Sequence, residues 1–163
     1  MRVLVTAASR HGSTWEISEA IGRTISEQGV ESDVIRLEEV TAVDPYGAVV
    51  LGSAVYVGNW LEPARTFVNE HREELAARPT WLFSSGPIGD PPRPTDDKAV
   101  QIDALVEATK PLEHRLFAGK LDRDKLSFGE RAVVFAFRAA EGDFRDWDEI
   151  AAWAAGIAQQ LQG

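Results

Sequence analysis

The sequence predicts an α/β fold: a three-layer sandwich around a five-stranded parallel sheet of order 2-1-3-4-5. Three observations lead there. Short apolar runs alternate with longer amphipathic ones along the chain, the pattern of parallel strands joined by right-handed helical crossovers. The run GAVVLGSA has no polar face, as expected of a strand covered on both sides. The length, 163 residues, suits one domain, residues 1–163, with one main core.

The elements follow in order. RVLVT, Arg2 to Thr6, reads as the first strand. A helix is expected from Thr14 to Gln28, because Ile17, Ala20, Ile21, Thr24 and Ile25 fall on one face. Gly29 is placed to stop it. SDVIRL, Ser32 to Leu37, is the second strand, and Gly47 to Ala54 the third. NWLEPARTFVNEHREELAA reads as a helix capped by Asn59, with Glu62 completing a capping box and Pro63 in its first turn. TWLFSS, Thr80 to Ser85, is the fourth strand, followed by the Pro/Gly-rich loop GPIGDPPRPTDD. KAVQIDALVEA then reads as a helix, and HRLFAG, His114 to Gly119, as the fifth strand. Residues 122–140 fit a helical face through Leu126, Val133, Val134 and Phe137, although AVVFAF alone also suits a strand. Helix is favoured, since it keeps the alternation. The last helix is capped by Asp146 with Glu149, and Ile150, Trp153, Ala154, Ile157, Ala158 and Leu161 line its inner face.

Composition narrows the function. The formal net charge is -9, which argues against nucleic acid and anionic membranes and suits docking to a basic protein. The absence of cysteine excludes disulfides, thiolate metal sites, iron–sulfur clusters and a cysteine nucleophile. His11, His71 and His114 show no metal-ligand spacing. No segment is long enough to span a bilayer, and MRVLVTAASR has too short an apolar run for a signal peptide. The expected location is cytoplasmic, and the protein is not expected to be an integral membrane protein.

In such a sheet, ligands bind beyond the carboxyl ends of the strands where strand order reverses, here between the first and third strands. Three loops reach that edge. In SRHGST, the residues Ser9, Arg10, His11, Gly12, Ser13 and Thr14 open the first helix. A helix N-terminus carries unpaired amides and partial positive charge, and the hydroxyls add donors. The simpler reading is a turn with Ser13 as N-cap and Glu16 as its box partner. No Walker A or GxGxxG pattern is present, so a phosphate monoester fits better than a triphosphate. The second loop holds Ala54, Val55, Tyr56, Val57, Gly58, Asn59 and Trp60. Tyr56 and Trp60 suit stacking on a planar ring, although Trp60 could equally pack under its own helix. The third holds Ser85, Gly86, Pro87, Ile88, Gly89 and Asp90, whose amides suit the polar edge of a heterocycle, or simply a rigid turn.

Together these residues resemble the flavodoxin-like family, whose first loop reads Ser/Thr-x-Thr-Gly-x-Thr and cradles the phosphate of FMN. Ser9, Gly12 and Thr14 match that pattern, Ser13 supplies a hydroxyl, and His11 replaces the middle Thr. ASRHGST, GSAVYVGNW, SSGPIGD, HRLFAGKLDRD and GDFRDWDEIAAWA are similar to flavodoxin-domain proteins grouped near menaquinone-dependent protoporphyrinogen oxidase. The resemblance covers essentially the whole chain. It implies FMN as cofactor, with the second and third loops, Ala54 to Trp60 and Ser84 to Asp90, flanking the isoalloxazine ring. It implies either an oxidoreductase using a quinone or porphyrinogen, or an electron shuttle between redox proteins. Relatives with oxidase activity carry a longer, basic segment where this chain reads DPPRPTDDKAVQ. A module that keeps the fold without flavin is the other reading, hinted at by His11.

Other chemistries fit poorly. Ser9 and His11 lack a GxSxG context and a third triad member. A receiver domain needs carboxylates where the first and third strands end in VTAA and LGSA. The acids of EGDFRDWDE read as a helix cap, His71 as a solvated helix position, and Trp147 and Trp153 as packing residues. No side chain is assigned as a catalytic acid or base.

Overall fold

The strand and helix patterns assemble as expected in a computed structural model of the chain. The structure describes residues 1–56, 58–86, 102–121, 142–143 and 145–163, with Leu121 and Gly142 described by backbone alone. The parallel strands are β1 (Arg2–Ala8), β2 (Glu31–Val34), β3 (Ala48–Tyr56), β5 (Thr80–Ser85) and β6 (Glu113–Phe117). Their order is β2-β1-β3-β5-β6, which is the order 2-1-3-4-5 when only the parallel strands are numbered. A two-residue strand, β4 (Asn59–Trp60), folds back antiparallel on β3. A second short pair, β7 (Lys120–Leu121) and β8 (Gly142–Asp143), stands apart.

Alternation along β1 divides the core. Val3, Val5 and Ala7 face α1 (Ser13–Glu27) and α5 (Trp147–Gln162), meeting Ile17, Ile21, Ile25, Ile150, Trp153 and Ile157. Leu4 and Ala8 face the opposite layer of α2 (Glu62–Glu70), α3 (Arg72–Ala76) and α4 (Asp103–Thr109), where Ala64, Phe67, Val68, Leu75 and Leu105 are buried. Helices on both faces explain why the central strands carry no polar side. Trp153 closes one layer with Phe83 and Phe117, at ring separations of 6.2 and 5.4 Å. Its indole N–H donates to Glu113 Oε1 at 2.7 Å.

The helix ends follow local chemistry. Gly29 has φ +94°; the Val30 N–H bonds the Ile25 carbonyl, and the Gly29 N–H bonds that of Ser26. These two bonds form a Schellman stop. Asp146 caps α5 by accepting from the Glu149 amide at 3.1 Å.

Several boundaries differ from expectation. β1 runs on to Ala8 because Ala7 and Ala8 pair with Gly52 and Ser53. β2 stops at Val34, and Leu37 turns inward to begin a short 3₁₀ turn, Leu37–Glu39. Asn59 does not cap a helix: it pairs with Tyr56 in the β3–β4 ladder, and α2 starts at Glu62 without a side-chain cap. The expected single helix from Asn59 is two, because His71 (φ −113°, ψ 22°) breaks it. His71 is not a solvated position either; its ring packs 4.5 Å from Phe67 and bonds Glu74 Oε2. Trp147 is 42% exposed rather than packed in the core. The expected helix within residues 122–140 and the loop 87–97 lie outside the described residues.

No helix among the described residues is long and apolar enough to cross a membrane.

Two glycines should respond differently to alanine. A Cβ on Gly52 would overlap the Phe83 ring, whereas one on Gly12 would meet nothing within 4 Å but carry φ +92°. We expect Gly52→Ala to cost about 1–3 kcal/mol through overpacking. Gly12→Ala should cost about 1–2 kcal/mol through backbone strain alone. Urea denaturation of both variants measures the two costs.

Candidate functional site

The first loop leaves β1 at Ala8 and turns into α1 through Gly12, whose left-handed backbone precedes the first helical residue. No side chain caps this helix. Ser13 is therefore inside the helix and is not its cap. Ser9 bends back instead, its Oγ accepting from the Gly12 amide at 3.0 Å. The first-turn amides of a helix have no intrahelical partner, so an uncapped start directs them at the space beyond. The open space over Gly12 allows a ligand to approach the backbone there. Thr14 is only 1% exposed, Ser9, His11 and Ser13 are partly buried, and Arg10 is exposed.

The second loop is reached from β3. Arg10 lays its guanidinium over the Tyr56 ring, 4.8 Å from the centroid, a cation–π contact. It joins the first loop to the second across the point where strand order reverses. Ala54, Val55 and Tyr56 are partly buried at the end of β3, and Gly58 has φ +78° in the turn to β4. Asn59 is exposed beside it. Trp60 has the other fate foreseen for it: it is 1% exposed and packs in the layer of α2. A ring so enclosed offers no face to a ligand. Its indole N–H donates to Ser84 Oγ at 2.7 Å, and His114 Nε2 lies 2.8 Å from the same oxygen.

The third loop begins at Ser85 and Gly86, with Gly86 at φ +80° and its amide bonded to the Phe117 carbonyl. Gly119 packs so closely that a Cβ there would lie 3.2 Å from the Gly86 nitrogen. Val57, Pro87, Ile88, Gly89 and Asp90 lie outside the described residues. Ser9, Arg10, Gly12, Tyr56 and Gly86 thus share the carboxyl edge of adjacent strands, since Ala8, Ser53 and Ser84 are paired in one row.

A fourth element went unread in the sequence. The Arg145 side chain is 5% exposed and reaches the start of α1 from the far end of the chain. Its Nη1 donates to the Ser13 carbonyl at 3.2 Å and to Glu16 Oε1 at 3.0 Å. Asp143 grips it from Nε and Nη2 at 2.9 and 2.7 Å, and the guanidinium lies 4.6 Å over Trp147. The available signal was an Arg flanked two residues away by Asp on one side and Trp on the other. The hydrogen bonds from Arg145 outweigh partial burial and hold the Asp143 carboxyl below its usual range.

A model of the family described as "Flavodoxin domain" matches residues 4–148. The protoporphyrinogen IX dehydrogenase [quinone] of Escherichia coli strain K12 is 22% identical over 172 residues, spanning 97% of this chain and 95% of that protein. Among solved structures, a flavodoxin from the domain Archaea superposes with a TM-score of 0.63 at 20% identity over all of both chains. Oxidised flavodoxin 1 from Bacillus cereus gives 0.65 at 16% identity over 99% of each.

The lowered carboxyl of Asp143 sets a pH dependence. Its stabilising contribution is complete above the unfolded value of about 3.9 and is lost as pH falls from there through the lower folded value. Asp143 is 41% exposed, so solvent screening holds the effect under about 1 kcal/mol. We expect Asp143→Asn to be less stable than wild type at pH 7 and the gap to narrow as pH falls below about 3.9, as read by denaturation at each pH.

Matching that model across most of its length, and folded as its relatives are, the chain belongs to the flavodoxin-domain family.

Proposed function

We propose that the protein is an FMN-binding redox protein. The observation that carries this reading is the uncapped start of α1 behind Gly12, set at the strand-order reversal of a flavodoxin-domain chain. The residues fit a phosphate monoester: Ser9 and Ser13 bring hydroxyls, Gly12 brings an open backbone, and helix polarity favours the anion. When bound, FMN supplies hydride and single-electron transfer. Tyr56 would border the ring, Arg10 would bring a positive charge to the site, and Gly86 would line its third side. Trp60 supports this arrangement from beneath, by fixing Ser84. His11 stands within the phosphate loop in place of the family's threonine.

Within this reading we favour an oxidoreductase acting on a quinone or porphyrinogen. The match to the E. coli dehydrogenase runs over nearly the whole of both chains. A shuttle between redox proteins is the second reading, favoured by the net charge of -9, which suits a basic partner. Steady-state turnover with a quinone distinguishes the first from the second.

The purified protein should bind FMN with quenching of flavin fluorescence and show a flavin absorption spectrum. Ser9→Ala removes the hydroxyl offered to the phosphate as well as the acceptor that shapes the turn at Gly12, and should weaken FMN binding by about tenfold, the worth of one hydrogen bond to a charged group. A colourless protein that leaves FMN fluorescence unchanged would refute the proposal.

A further inference from the structure

Arg145 stands outside the three loops, yet it is the most enclosed cation bordering them among the described residues. Its position poses an electrostatic question. Glu16 lies in the first turn of α1, where a carboxylate is favoured by the helix but repels any phosphate drawn to the same end. Arg145 Nη1 holds that carboxylate at 3.0 Å and the Ser13 carbonyl at 3.2 Å. Four of its five donors are used on Ser13, Glu16 and Asp143. It therefore has little left to give a ligand directly.

Resting on the FMN reading above, we propose that Arg145 is a positioning residue for the phosphate end of the site. It offsets part of the negative charge that Glu16 and Asp143 place beside the helix start, while anchoring the carbonyl of Ser13 so that the first-turn amides keep their direction. Asp143 and Trp147 hold the guanidinium in place for this task. The effect is specific to the phosphate, because riboflavin, which has the same ring and no phosphate, does not sense it.

The test compares FMN and riboflavin affinities, by fluorescence quenching, for wild type, Arg145→Gln, Glu16→Gln and the double variant. Arg145→Gln should weaken FMN by about tenfold, the scale of a partly buried charge at a helix end, and riboflavin by less than about twofold. Glu16→Gln should tighten FMN, and the double variant should lose less than Arg145→Gln alone, the mark of coupled sites. Glu16 is 54% exposed, so its variant tests the idea even if Arg145→Gln does not fold. Equal losses for FMN and riboflavin, or no effect of Glu16→Gln on FMN, would overturn it. A wild type that binds neither flavin removes the FMN reading and this inference with it. A wild type that binds FMN, but no better than Arg145→Gln does, overturns this inference alone.

Discussion

The structure depends on how β1 is shared. Its first half is paired on both sides, with Arg2 to Val5 against Glu31 to Val34 and Val3 onward against β3. The β2 ladder ends there, with the Ile35 amide on the Val5 carbonyl. From Thr6 to Ala8 the strand has a neighbour on one side only. That loss of a neighbour opens the crevice at which strand order reverses. The loop to α1 rises from this point, and the position of the site follows from a register rather than from any one side chain.

The edge beyond is built from small residues. Ala8, Ser53 and Ser84 lie in one row, and Ala54 and Ser85 in the next. Their hydroxyls mostly face inward. Ser53 Oγ accepts from the Leu61 amide, and Ser84 Oγ receives the indole of Trp60. These bonds fasten the end of β4 and the residue after it to the sheet. A rigid row beneath the loops is the arrangement a binding edge requires.

Much of this was legible in sequence, for identifiable reasons. Continuous apolar runs revealed the buried strands, and the amphipathic spacing of Ile17, Ile21 and Ile25 revealed α1. The Asp146 cap and the Gly29 stop follow local rules and were read correctly. Asn59 misled because an Asn–x–x–Glu spacing suits a cap equally well whether or not the chain first folds back as a strand. Trp60 could not be placed from sequence, since facing the core or the ligand depends on the pairing of Val55 with Trp60. Arg145 was invisible for another reason. Its partners Ser13 and Glu16 are 132 and 129 residues away, and only the packing of α5 beside α1 joins them.

That packing has a practical geometry. α1 and α5 run the same way, with Arg145 touching the start of α1 and the Gln162 side chain bonded to the Gln28 carbonyl at its end. The fifteen residues of α1 separate these two contacts by about 22 Å. Position 163 therefore sits at the opposite rim of the sheet from the three loops. A molecule tethered to an electrode or a solid support through that position would turn its loop edge outward, toward solution.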